Sequence, residues 1–316
     1  MFLIFDTETT GLPKKWNAPL SDSDNWPRCV QIAWKIHDFS GLCVESKSFI
    51  IKPEGYTIPY ESEKIHGIST SLANLRGEKI ENVLKTFLNS INNCTYICGH
   101  NVKFDINIIG AELIRLGNEN KIEKFPIIDS CSEVTAEICK LPGGRGGKFK
   151  FPTLSELYLN LFNENFKEAH NATADVEATS RCLIELFRRK LIKNESINEI
   201  DLIYNKIQEK FKDVIPVLGI EHESFKLASE ELKKKEDKLK STALSNNIDS
   251  SDFQNKVFSH LHVHSQFSIL QSTSKISNLI SKAIDYKMPA IALTDHANLM
   301  GSFRLIKEVK NYNIGV

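Results

Sequence analysis

The chain opens on Phe2-Leu3-Ile4-Phe5, an apolar run that ends in Asp6-Thr7-Glu8-Thr9-Thr10-Gly11-Leu12. A run this short and apolar at the head of a polar alternation reads as a buried strand. Side chains alternate along a strand, so Phe2, Ile4, Asp6 and Glu8 share one face, and two carboxylates leave the core together where the sheet ends. Two acids placed this way repel each other unless a cation lies between them. A solvated turn can carry the same pair, so the meaning of Asp6 and Glu8 rests on partners farther along the chain.

Alternating strand and helix patterns fill residues 1–190. Val30 to Ile36 and Ser48 to Lys52 read as strands that pair with the first, and Tyr96 to Cys98 as another. Val83, Leu84, Phe87, Leu88 and Ile91 recur at helical spacing, as do Phe104, Ile108, Ala111 and Leu116. Further helices are expected over Ser132 to Lys140, Thr153 to Phe162 and Thr173 to Arg189, giving an α/β domain. Residues 191–256 turn to Lys, Glu, Asn and Ser, with Lys233-Lys234-Lys235 and the polar stretch Ser245 to Ser251, and read as a charged, partly helical linker. Residues 257–316 resume strand and helix patterns, with Ile291 to Leu293 a second strand, as at the opening of another domain.

The 40 basic and 40 acidic residues balance, which excludes a histone-like polycation but not a local phosphate track. Seven scattered cysteines without a CxxC pair read as reduced thiols of a cytoplasmic protein. The apolar start is cut off by Asp6, and no other run approaches the length of a membrane span, so no membrane partner is expected.

A third acid, Asp105, lies in Gly99-His100-Asn101-Val102-Lys103-Phe104-Asp105, where a strand gives way to a helix. A fourth, Asp175, follows His170 in His170-Asn171-Ala172-Thr173-Ala174-Asp175. Five helical steps would turn these two side chains roughly 140° apart, so His170 is expected on the loop that leads into the helix.

These segments resemble the DEDDh exonucleases, the family of the DNA polymerase III epsilon proofreading subunit and of ribonuclease T. The match covers roughly residues 1–189, and Ile65-His66-Gly67-Ile68 also resembles a segment that in these enzymes lies beside the terminal nucleotide. The resemblance implies a ribonuclease H-like fold, a mixed sheet flanked by helices. It implies two divalent cations, Mg²⁺ or Mn²⁺, about 4 Å apart, held by Asp6, Glu8, Asp105 and Asp175. Asp6 would bridge them, Glu8 and Asp175 would serve one, and Asp105 would help place the other. Hard cations prefer carboxylate oxygen, which suits four acids from separate elements. His170 would take the proton of the attacking water, and Thr9, Gly11, Leu12, His66, Asn101 and Phe104 would touch substrate. The tyrosine variant of the superfamily has its Tyr four residues before the last Asp, where this chain has Asn171.

Two departures stand out. Gln31 occupies a strand position where relatives often carry an acid, which concerns support rather than catalysis. An insertion, Leu12 to Cys29, brings Trp16, Pro19, Trp26 and Pro27, whose tryptophans either pack over a loop or offer bases a stacking platform. The loop Pro142 to Lys150 interleaves Arg145, Lys148 and Lys150 with glycines, and reads equally as a plain loop or as a phosphate track.

Ser259-His260-Leu261-His262-Val263-His264 sets three histidines on one strand face, a pattern that favours metal. Together with Met288 to Gly301 it is similar to the start of the PHP domain of the DNA polymerase III alpha subunit. That resemblance implies ligand positions at His262, His264 and His296, with Asp295 beside them and Gln271 where an acid is expected. Its 60-odd residues are too few to close a (β/α) barrel, so an incomplete barrel and a chain that stops inside a domain are expected.

The function expected from these resemblances is 3′ to 5′ hydrolysis of single-stranded or frayed DNA, at a primer 3′ end, for a replicative polymerase on the same polypeptide. An RNA exonuclease of the ribonuclease T or oligoribonuclease kind is the alternative within the enzyme class, since one contact decides a 2′-hydroxyl. A non-catalytic adaptor docked on the polymerase is the alternative outside it.

Overall fold

A computed structural model describes residues 1–166, 170–192, 197, 199–213, 224–246, 258–268, 271–296 and 298–310. Most of the polar stretch Ser245 to Ser251, and the end at Asn313 to Val316, lie outside the described residues.

Five strands form one mixed sheet in the order β3-β2-β1-β4-β5. They are β1 (Phe2–Thr9), β2 (Cys29–His37), β3 (Cys43–Ile50), β4 (Tyr96–Gly99) and β5 (Ile127–Asp129). β1 runs antiparallel to β2 and parallel to β4, so it lies at the junction between the two halves of the sheet. β3 starts earlier than the expected Ser48 and stops at Ile50, because Ile51 joins only an isolated bridge with Glu78.

The two faces of β1 enter different cores, as strand alternation requires. Leu3 and Phe5 pack with Trp34 and with Val83, Leu84, Phe87 and Ile91 of α3 (Ile80–Ile91) and Ile106 and Ile109 of α4 (Lys103–Arg115). Phe2 and Ile4 pack with Val176, Leu183, Ile184 and Phe187 of α7 (Ala172–Arg188). The remaining helices here are α1 (Tyr60–His66), α2 (Thr70–Arg76), α5 (Glu133–Cys139) and α6 (Leu154–Phe162), the last two started by capping boxes on Ser132 and Thr153.

This compact unit extends to Glu236, past the boundary expected at residue 190. The reason is apolar burial: α8 (Ile200–Lys210) adds Ile203, Tyr204 and Ile207 to the core beneath β1 and β4. At the start of α9 (Phe225–Asn246), Phe225, Ala228 and Leu232 pack against Ile58, Ile68 and Leu72. Ser229 completes the seat, accepting from Ser69 N at 3.1 Å and donating to the Gly67 carbonyl at 2.7 Å.

The second unit, 237–316, contains the parallel pair β6 (His260–Val263) and β7 (Ile291–Leu293) with α10 (Ile276–Asp285) and α11 (Met300–Val309). Ile276, Ile280, Leu305 and Val309 form its small core. Among the described residues no helix is long and apolar enough to cross a membrane.

Candidate active site

The site arises where β4 leaves β1. β4 pairs with β1 only at Phe2, Leu3 and Ile4, so from Asp6 onward that edge of β1 is open. Asp105, in the first turn of α4, fills that edge: its Oδ1 accepts from Thr7 N at 2.9 Å and from Thr7 Oγ1 at 2.6 Å. A carboxylate thus stands where a sheet carbonyl would otherwise satisfy the strand. The turn that delivers it is held from β5, where Asp129 accepts from Asn101 N at 2.8 Å and Val102 N at 3.1 Å while Asn101 adopts a φ of 59°.

Asp175 arrives from the opposite face. Asn171 caps α7 through Thr173 N at 3.1 Å. His170 lies in the turn before it with a φ of 71°, its N–H donating to Asp175 Oδ2 at 2.9 Å. Gln31, fully buried on β2, fastens this end of α7: Ala172 N donates to its Oε1 at 3.2 Å, and its Nε2 reaches Asn171 Oδ1 and Thr173 Oγ1, both at 3.3 Å. An ion pair between Lys35 of β2 and Glu177 ties down the same helix.

Oxygens of Asp6, Glu8 and Asp175 then lie within 4.8 Å of one another, the one such group of candidate metal ligands among the described residues. Asp105 lies beside them but outside this group, committed through one oxygen to Thr7. Burial, with repulsion from Asp105, Asp175 and Glu8, pushes the Asp6 carboxyl well up. Burial raises Glu8 to about 8, with Asp175 and Asp105 adding to it. Asp105 and Asp175 are both raised to about 7, chiefly by burial, against the hydrogen bonds from Thr7 and from His170 N. Four acids crowded together, Asp105 buried and Asp6, Glu8 and Asp175 half-buried, with desolvation disfavouring the ionised form of each, are unfavourable on their own and well matched to hard divalent cations.

A family model described as an exonuclease matches residues 3–183, more than half of the chain. The chain belongs to this exonuclease family. A PHP domain model matches residues 260–316 of the chain. Over that segment it is 53% identical across 57 residues to the DNA polymerase III subunit alpha of Borreliella burgdorferi, covering 18% of this chain and 5% of that one. It is 50% identical across 50 residues to the corresponding subunit of Chlamydia trachomatis, covering 16% and 4%. Among solved structures it is similar to the zinc-bound complex of E. coli exonuclease I with single-stranded DNA, at 21% identity and a TM-score of 0.48, over 65% of this chain and 42% of that one. Exonuclease I of Methylocaldum szegediense is similar at 21% identity and a TM-score of 0.47, over 60% and 40%. The chain therefore spans about 5% of the length of these polymerase relatives and 42% of the E. coli chain.

The other residues expected to touch substrate lie at or after the ends of β1 and β4 or, for His66, at the end of α1. Thr9 Oγ1 donates to the Gly11 carbonyl at 2.7 Å, and Gly11 has a φ of 147° that a side chain would strain. Leu12 is exposed, as is Asn101, and Phe104 is half-buried. His66, buried at the end of α1, accepts from Ile68 N at 3.1 Å on Nδ1. Burial lowers its pKa to about 4, the Thr9 main chain opposes this, and nearby His170 contributes, so His66 is neutral at pH 7.

Two sequence alternatives separate here. Trp26 is buried and packs over the core, whereas Trp16 is exposed. In the glycine loop, Lys148 pairs with Glu133 at 2.8 Å and Lys150 with Glu156 at 2.9 Å, which weakens its reading as a phosphate track. Gln31 is a support residue as its strand position suggested, whereas Thr7 and Asp129 carry positioning roles that no motif announced, although Ile127-Ile128-Asp129 repeats in miniature the pattern of an apolar strand ending in an acid.

In the second unit, the rings of His262 and His264 lie 4.7 Å apart. Their Nδ1 atoms face Thr294 Oγ1 at 2.9 Å and Ser268 Oγ at 3.4 Å. Asp295 is occupied by Ser265 N and Ser265 Oγ, both at 2.7 Å, and Ser268 Oγ at 2.8 Å. His296 donates its N–H to Ser268 Oγ at 2.9 Å, and no candidate metal-ligand group among the described residues includes these histidines.

Proposed function

We propose that the chain is a DEDDh-type 3′ to 5′ exonuclease that releases nucleoside monophosphates from single-stranded or frayed DNA ends as part of a replicative polymerase. The observation that carries this reading is the convergence of Asp6, Glu8 and Asp175 within 4.8 Å, with buried Asp105 alongside. Asp6, Glu8 and Asp175 would hold divalent cations, Mg²⁺ or Mn²⁺, which when bound supply Lewis-acid stabilisation of charge on the phosphate. His170, exposed at the mouth on a strained turn, takes the proton from the attacking water, while its own N–H keeps Asp175 aimed inward. Neutral His66 and the Thr9-to-Leu12 turn orient the terminal nucleotide. The names of the relatives matched by residues 260–316 favour DNA and a polymerase context. The domain reading that accompanies this proposal is a nuclease, a helical connector and a PHP segment.

The test is a matched series of single-stranded DNA, mismatched primer and RNA with Mg²⁺ or Mn²⁺, together with Asp6→Ala. DNA with a free or frayed 3′ end should be degraded fastest, and Asp6→Ala should lose several orders of magnitude. A faster rate on RNA transfers the chain to the ribonuclease branch, and no turnover on any substrate supports the adaptor reading.

A further inference from the structure

The insertion between β1 and β2 is held far more firmly than a plain surface loop requires. Buried Asn25 grips both sides of the Lys15 peptide, accepting from Lys15 N at 2.7 Å and donating to the Lys15 carbonyl at 3.0 Å. Trp26, only 3% exposed, donates to the Pro19 carbonyl at 3.1 Å. Arg115 of α4 donates to the carbonyls of Ser23 at 2.9 Å and Trp26 at 2.6 Å, and Arg28 pairs with buried Glu112 of α4 at 2.9 Å. Leu20 packs against the main core.

This anchoring holds in place a large aromatic side chain that the protein does not bury. Trp16 is 56% exposed, and its ring lies 5.9 Å from that of Phe104, the residue before Asp105. Lys14 and Lys15 beside it are exposed too. An aromatic face left to solvent on a fixed loop, with cations next to it, matches what single-stranded nucleic acid recognition uses: a ring for a base and charge for its phosphate.

We propose that Trp16 is a base-stacking subsite for single-stranded DNA, taking a base 5′ of the nucleotide removed at the carboxylates. The proposal rests on the exonuclease reading above and deepens it. Phe104 precedes Asp105 in sequence and the Trp16 ring lies 5.9 Å from that of Phe104, so the subsite is assigned to a second base of an oligonucleotide rather than to the nucleotide at the carboxylates.

Two measurements test this. The chain has three tryptophans, and Trp26 and Trp34 are buried, so stacking on Trp16 should quench the exposed part of the intrinsic fluorescence. Titrating oligothymidylate into Asp6→Ala, which avoids cleavage, should give a saturable quench that is absent from Asp6→Ala combined with Trp16→Phe. In the active enzyme, Trp16→Ala should raise KM for the oligonucleotide roughly tenfold, Trp16→Phe should restore most of it, and hydrolysis of the p-nitrophenyl ester of thymidine 5′-monophosphate should stay within about twofold of wild type. No quench, an unchanged KM, or parallel loss on the ester would overturn the subsite. Failure of the wild type on both substrates would instead count against the exonuclease reading, and the quench would still decide the role of Trp16.

Discussion

Stripping the protein of divalent cations leaves four crowded, largely desolvated acids together, and the consequence for stability can be worked out. Asp175 is raised from 3.8 to about 7, mainly by burial. A carboxyl whose folded pKa lies above its unfolded value stabilises the fold at low pH, and that contribution is lost as pH rises from about 4 through about 7. At about 1.4 kcal/mol per tenfold change in proton affinity, this one group costs roughly 4 kcal/mol at pH 8 and under about 2 kcal/mol at pH 5. The four acids share their repulsion, so counting it once leaves a difference of about 2–3 kcal/mol between the two conditions. A bound divalent cation removes this penalty, and protons compete with it at the lower pH. The rise in Tm on adding Mg²⁺ or Mn²⁺ should therefore be larger at pH 8 than at pH 5 by roughly 5–10 °C, at about 2–4 °C per kcal/mol for a unit of this size. Differential scanning fluorimetry of chelator-treated protein, with and without metal at both pH values, makes the comparison. An equal rise at both pH values, or the same rise in Asp175→Ala, would refute the reasoning.

His170→Ala should lower turnover by roughly 10² to 10⁴ while leaving oligonucleotide affinity nearly unchanged, and an unaltered rate would remove the imidazole from the mechanism. Gln31→Leu removes the partner of the Ala172 N–H and of Asn171, so it should cost about 1–3 kcal/mol in chemical denaturation and lower activity with it. A chain truncated at Asn255 should keep exonuclease activity within about threefold, whereas one truncated at residue 223 should lose Tm and activity, because it exposes the apolar seat of Phe225, Ala228 and Leu232. Equal behaviour of the two truncations would mean that α9 contributes nothing to the nuclease.

The first strand and the acids are legible in the sequence because alternation is a strong signal: once Phe2 and Ile4 face one core, Asp6 and Glu8 must continue along that face. The helices α3, α4 and α7 are legible for the same reason at a longer period. By contrast, α1 and α2 are seven residues each, about two turns, and lack the capping box that opens the equally short α5, and β5 has only three residues. The start of α9 reads as a solvated charged segment because its buried stripe is only Phe225, Ala228 and Leu232, among lysines and glutamates. The supporting residues stay hidden for a different cause. Asp129 and Ser229 act on main-chain groups contributed by segments remote in sequence, so only the folded chain reveals what they bind, and Gln31, whose supporting role the sequence did suggest, shows its partners only there too.

Asp105 belongs to both categories, and this bears on how inactive versions of such a nuclease are best made. Its Oδ1 closes the edge of β1 through Thr7, so the residue serves as mortar in the sheet as well as charge in the site. An alanine there discards both functions and leaves a strand N–H in search of a partner. An asparagine keeps an oxygen for Thr7 and surrenders only the charge, so it is the replacement that would silence the chemistry while leaving intact the cleft needed to hold an uncut strand.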